Sequence, residues 1–408
     1  MKKILSINET KQKFIEPEKE IEVIDSFDVV VVGGGIAGVS AAIAASRNGV
    51  KVCIIEKENC LGGLATLGLV VDYLPLCDGK GHQVVGGLGE ELLKKSIKYG
   101  PGKIPTCWEK KSSVQERSRN RYELYFNPAS FILSLEELVL ENNIKLYYDT
   151  RFCDVVLKDN KINAVIVENK SGRCAILFKN IVDASGDADV CYKSEENVVS
   201  LKNNRKAGWF YSYDNSKIKL HELYDPLYKK LPPHIKTFAG DNWQDITEIN
   251  IQSRKMILKK VLELRKINKD IYPILIPTIP QLRMTRRLRG NFELDEKDDK
   301  KYFKDSIGMT GDWRKLGPIY YIPFRCLIGN KVENLITAGR CISVSNKAWD
   351  ITRAIPACAV TGEAAGTAAA LSIMNNESIS EINLITVQRQ LIKQNVIIDK
   401  KFANMDRV

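Results

Sequence analysis

Histidine is scarce in this chain, three among 408 residues, and none of the ten cysteines stands in a CxxC pair. The Cys/His spacings that hold structural zinc or an iron–sulfur cluster are therefore missing, and no metal site is expected. The cysteines are scattered. Several lie in apolar runs, Cys53 in VCII and Cys358 in IPACAV, where a thiol serves as a small hydrophobe. A disulfide framework is not expected, and a reducing cytoplasm is the expected location. The first residues, MKKILSINETKQKF, contain no long apolar stretch of the secretory kind. The apolar run from Phe27 to Ala45 is broken by glycines and Ser40, so it reads as strand, turn and helix and no membrane partner is expected. Internal repeats and low-complexity tracts are also missing.

A net charge of +11 and a hydrophobic fraction of 44% remain, which suit a globular protein with a sizeable core and an affinity for anions. No basic tract is interleaved with aromatics, which speaks against nucleic acid as a partner. The length favours more than one unit. Residues 1–26 are charged and weakly patterned and read as an arm. Residues 27–190 and 319–408 have α/β texture. Between 191 and 318 short apolar runs alternate with Lys- and Asp-rich loops, which reads as an inserted α+β cap domain. Helices are expected over LGEELLKKSIKYG, over 126–143, over 253–268 and from Ile355 to Met374, the last closing the α/β domain.

The strongest local signal is Gly33-x-Gly35-x-x-Gly38. It follows the buried strand FDVVVV and opens a small-residue helix at Ile36 and Ala37. A second strand ends at Glu56 and Lys57, with Glu56 eighteen residues beyond Gly38. In a Rossmann-like βαβ unit the first glycine permits the turn, the second lets a pyrophosphate approach the backbone, and the third lets helix and strand pack. The helix N-terminus offers N–H groups to phosphate. Glu56 suits a ribose diol and repels a 2′-phosphate.

Three further segments go with this unit: LGGLATLG from Leu61, VDASGDADV around Ser185, and ENLITAGRCISVSNKAWDITRAIPACAVTGEAAGTAAAL from Glu333. Together with YYIPFRCLI, they resemble the glutathione-reductase-like FAD-binding superfamily. More narrowly they resemble its FAD-dependent oxidoreductase family, related to fumarate reductase flavoproteins. The resemblance implies non-covalent FAD. It implies that Gly62, Gly63 and Thr66 lie along the ribityl chain and isoalloxazine, that Cys153 gives the adenine a backbone contact, and that Ser185 and Gly186 turn beneath the adenosine diphosphate. Gly339 and Arg340 occupy a ribityl position where the superfamily often has Gly-Asp. Gly362, Ala365 and Gly366 are expected under the flavin ring, with close packing against a neighbouring element as the alternative.

The redox cysteine pair of disulfide reductases is missing after the GG, where Cys77 stands alone, and no second strand–GxGxxG–helix follows. Electrons are therefore expected from a diffusing NADH or NADPH, from a redox partner protein or from the substrate. Catalytic candidates are Arg353, by analogy with fumarate reductases; Arg286 in the basic run RMTRRLRG, with Arg287 beside it; and Tyr321, with Tyr73 as a further proton donor. His82 sits in GKGHQVVGG, which does not match a covalent flavin motif. The expected activity is hydride transfer between flavin N5 and a small, anionic organic substrate. Flavin-dependent RNA modification and a non-catalytic electron-transfer subunit are the alternatives.

Overall fold

The computed structural model describes residues 18, 20–225, 232 and 235–404. Most of the expected arm, 1–17, lies outside them. Strand β1 (Glu22–Val32) begins five residues before the apolar run, because its polar first half pairs with the first half of strand Gly172–Asp183. The second half, Val29–Val32, is buried on both faces. Helix α1 (Ile36–Arg47) follows, then β2 (Val52–Ile55), parallel to β1.

These strands form the middle of a seven-stranded sheet. Beyond β2 lies Lys145–Tyr147, and beyond β1 lies Gly172–Asp183. That 12-residue strand has two sets of neighbours. Its first half continues the antiparallel meander through Lys161–Asn169 to Arg151–Lys158, while its last residues pair in parallel with Leu335–Thr337. A parallel dinucleotide-binding sheet with a β-meander is thus built around one long strand. The mixed α/β fold is Rossmann-like, as the βαβ spacing predicts.

Helix Ile355–Asn375 is long and apolar enough to cross a bilayer by composition, but it is buried against the sheet and α1. Small residues make this possible. A Cβ added at Gly362 would stand 2.2 Å from the Ala37 carbonyl oxygen, and one at Gly366 would stand 1.9 Å from that of Ala41. The two helices therefore meet backbone to backbone, and burial of the Ala and Val side chains around them holds the layer together.

Within 191–318, three antiparallel strands, Phe210–Asp214, Lys217–His221 and Tyr272–Leu275, pack on a 25-residue helix, Trp243–Ile267. Phe210 meets Ile257 and Val261 of that helix. The helix starts ten residues before the expected 253, at Trp243, and the side chain of the preceding Asn242 caps it by accepting from Asp245 N–H at 3.0 Å. Residue 318 is not a structural boundary: Ser306–Gly311 pairs with Ile319–Pro323 across it, and Gly308 lies against Val360 of the long helix.

Candidate functional site

β1 stops at Gly33, whose φ of +102° turns the chain, and its N–H donates to the Ile55 carbonyl at 2.8 Å. A Cβ at Gly38 would lie 1.8 Å from the Gly33 carbonyl oxygen, so this glycine closes helix onto turn. Gly35, the N-cap of α1, has no side-chain cap and no atom within 4 Å of a would-be Cβ. The first N–H groups of α1 are therefore left for a ligand, and the helix dipole points its positive end the same way.

Glu56 follows β2. It is buried, and its carboxylate accepts from Gly34 N–H at 2.6 Å and from Glu58 N–H at 2.9 Å. Burial raises its pKa while these two bonds pull it down. A carboxylate so fixed has acceptor sites left for a ribose diol.

A cavity of about 430 Å³ opens over this turn. From the βαβ unit it is lined by Gly33, Gly35, Ile36, Ala37, Glu56 and Lys57. The next loop adds Gly62 and Gly63, and the end of the long strand adds Ser185 and Gly186. Gly339, Arg340 and Arg353 complete the side below the cap, which supplies Ile246 and Asn250 from its helix and Thr278 to Pro280 from its return loop. Arg340 is braced from two sides, donating to the Leu282 carbonyl and pairing with Asp187 at 3.2 Å. Arg353 pairs with Asp350. Open phosphate donors, a buried acid one strand away and a groove between the glycine turn and helix Trp243–Ile267 are what FAD requires, and the residues present fit it.

Other expected site residues are placed elsewhere. Thr66 is buried and its hydroxyl donates to the Leu61 carbonyl at 2.7 Å, shaping the loop without lining the cavity. Cys153 packs toward Ala164 and Ile166; the residue of its strand that reaches the cavity is Arg151. The strand register shifts between Phe152 and Asp154, which moves the contact. Gly362 and Gly366 face α1, and Ala365 is fully buried in that layer. The cavity takes Ile355 and Cys358 from this helix instead.

Tyr321 is fully buried, and its hydroxyl donates to the Asp399 carbonyl at 2.5 Å. Burial pushes its pKa up to about 12; it ties the chain to Asp399 and is not among the cavity-lining residues. Arg286 is also structural. It donates to the Asp187 carbonyl at 3.0 Å, pairs with Asp189 at 2.6 Å and lies 4.2 Å over the Tyr192 ring. Tyr73 donates to the Gly89 carbonyl at 2.7 Å, and His82 sits 2.9 Å from Asp78, both away from the cavity lining.

The same basic run holds a residue that sequence reasoning missed. Arg283 follows cavity-lining Leu282 and has no ion-pair partner among the described residues. Burial and the neighbouring Arg353 push its pKa down to about 10. In RMTRRLRG nothing local separates it from Arg286 or Arg287. Only the turn of the chain does.

The comparisons agree with this architecture. The model of the family described as FAD dependent oxidoreductase matches residues 28–208 and 200–391. The tRNA uridine 5-carboxymethylaminomethyl modification enzyme MnmG of Aquifex aeolicus is 29% identical over 154 residues, 35% of this chain and 22% of that protein. The soluble pyridine nucleotide transhydrogenase of Chromohalobacter salexigens is 51% identical over 122 residues, 26% of this chain and 25% of its own. The matched segments thus span a quarter or less of these relatives. Among solved structures, p-nitrophenol 4-monooxygenase PnpA from Pseudomonas putida DLL-E4 aligns with a TM-score of 0.50 at 11% identity, covering 90% of this chain and 84% of that one, which is a likeness of fold. With residues 28–391 matched by the family model, the chain belongs to the FAD dependent oxidoreductase family.

Proposed function

We propose that this oxidoreductase moves a hydride between its flavin and a small anionic organic substrate. The observation that carries this reading is Arg353 on the cavity wall, with Arg283, next in the chain to cavity-lining Leu282, adding positive potential and forming no ion pair among the described residues. When bound, FAD supplies the hydride donor or acceptor at N5. Asp350 orients Arg353 and also attracts Arg283, which leaves two cations to one acid, and a substrate carboxylate would balance them. Ile279, Leu282 and Ile355 give the cavity apolar walls that exclude water. Transhydrogenase and thioredoxin reductase among the relatives support NADH or NADPH as the diffusing donor.

Anaerobic bleaching of the visible flavin band against NADH, NADPH and a panel of carboxylates tests the reading. Carboxylates should react with the flavin where their amide analogues do not. Arg353→Ala should raise the carboxylate KM by about ten- to a hundredfold, the worth of a charge-assisted hydrogen bond. Equal reactivity of acids and amides would refute it.

A second reading, RNA modification, has the MnmG similarity and the positive charge behind it. Nucleic acid absorbance that persists through a high-salt wash would favour it.

A further inference from the structure

The cap helix Trp243–Ile267 has two working faces. Ile246 and Asn250 lie on the cavity side, while Ile249, Ile257 and Val261 are buried. On another side Ile251, Leu258 and Leu262 are 48%, 57% and 54% exposed. At 100° per residue these three fall within about 40° of arc, a narrow apolar stripe. Exposed cations line both margins. Arg254 and Arg265 border one, and Lys255, Lys259 and Lys266 border the other.

The acids nearby leave the margins positive. Glu248 is neutralised by Lys236 at 2.5 Å, and Glu263 lies beyond Lys259, within 3.9 Å of Lys260. The stripe continues into the small sheet. Arg265 donates to the Ile271 carbonyl at 2.8 Å, and the edge strand that follows, Tyr272–Leu275, is exposed at every position.

We propose that this helix face and edge strand dock on an anionic lipid surface. A ridge of three side chains is small against the roughly 800 Å² per partner that a stable protein complex buries. A fluid bilayer needs no matching pocket. Aliphatic side chains reach the acyl boundary while the cations on both margins meet lipid phosphates and carboxylates. This is peripheral contact. The sequence-based expectation of no membrane partner rested on the lack of a spanning segment, and peripheral contact needs none.

The test is co-sedimentation of the full chain, flavin bound, with vesicles of phosphatidylcholine alone or with about one third phosphatidylserine. Binding should be at least tenfold stronger to the anionic vesicles. Ile251→Ser/Leu258→Ser/Leu262→Ser should lower it at least tenfold with flavin content unchanged. Lys255→Glu/Lys259→Glu/Lys266→Glu should lower it about a hundredfold, at roughly fivefold for each cation lost. Circular dichroism confirms that both variants fold; if the serine variant does not, single changes at Leu258 and Leu262 replace it. Wild-type protein that stays in the supernatant, or a serine variant that binds as well as wild type, overturns the proposal. So does retention by an immobilised acidic protein without vesicle binding, which would assign the surface to a protein partner.

Discussion

Two glycines of the dinucleotide domain should respond to alanine in opposite ways. At Gly366 the added Cβ would lie 1.9 Å from the Ala41 carbonyl oxygen, about 1.5 Å short of ordinary contact. The obstacle is backbone on a fully buried helix, so no side chain can rotate away. Gly366→Ala must push α1 off the long helix, and overpacking of this kind costs about 1–3 kcal/mol. At Gly35 the new methyl meets nothing within 4 Å, and the residue's φ of −68° suits alanine. Gly35→Ala should leave the flavin-free protein as stable as before, or slightly more so. Its methyl would project into the phosphate path and weaken FAD at least tenfold, about 1.4 kcal/mol. The assay is urea denaturation of the flavin-free protein beside a titration with FAD. Thermal midpoints are less useful, because a chain of 408 residues moves only about 1 °C per kcal/mol. If Gly366→Ala lost FAD while the flavin-free midpoint held, the long helix would face the flavin and the packing argument would fail.

Glu363 is buried at the start of helix Gly87–Ser96, where it accepts from Leu88 N–H at 2.7 Å and Gln394 at 3.1 Å. Burial raises its pKa to about 7, so the native state holds a proton that the unfolded chain releases above about 4.5. Stability should therefore fall as pH rises from about 4.5 to about 7. Glu363→Gln should flatten that slope relative to wild type, read from urea midpoints between pH 5 and 8; an unchanged slope would place the titration elsewhere, Asp72 being the other carboxyl raised to about 7. Tyr321→Phe should cost about 1 kcal/mol through the lost bond to Asp399 and leave the flavin's reduction rate unchanged in stopped flow, whereas a large rate loss would return Tyr321 to the chemistry.

The sequence discloses the dinucleotide cradle almost residue by residue, because each part is local. A buried β-branched run, three glycines at fixed spacing and an acid at the next strand's end need no distant partner to be recognised. What it hides depends on partners far along the chain. The polar start of β1 reads as an arm until Gly172–Asp183 is there to pair with it. The resemblance points to Cys153, and only the folded strand, with its register shift at Phe152, shows Arg151 to be the residue that reaches the cavity. Small residues at 362–366 fit a flat ring and a close helix equally well, and only the position of α1 decides between them. The basic run 283–290 shows the limit most plainly. One strand sends Arg286 to Asp189 and Arg287 to Glu293, while Arg283, just before it, comes within electrostatic reach of Arg353.

Ala37 is gripped from two directions. A Cβ at Gly339 would stand 2.7 Å from its methyl, and one at Gly362 would stand 2.2 Å from its carbonyl. The floor of the cavity is thus fixed before any ligand arrives, and little of the binding free energy goes into ordering it. The rest of the lining comes from overhead, from the 278–282 loop and helix Trp243–Ile267. Relatives built on this plan can therefore keep one cofactor berth while exchanging substrates, since changing the roof leaves the floor's geometry alone.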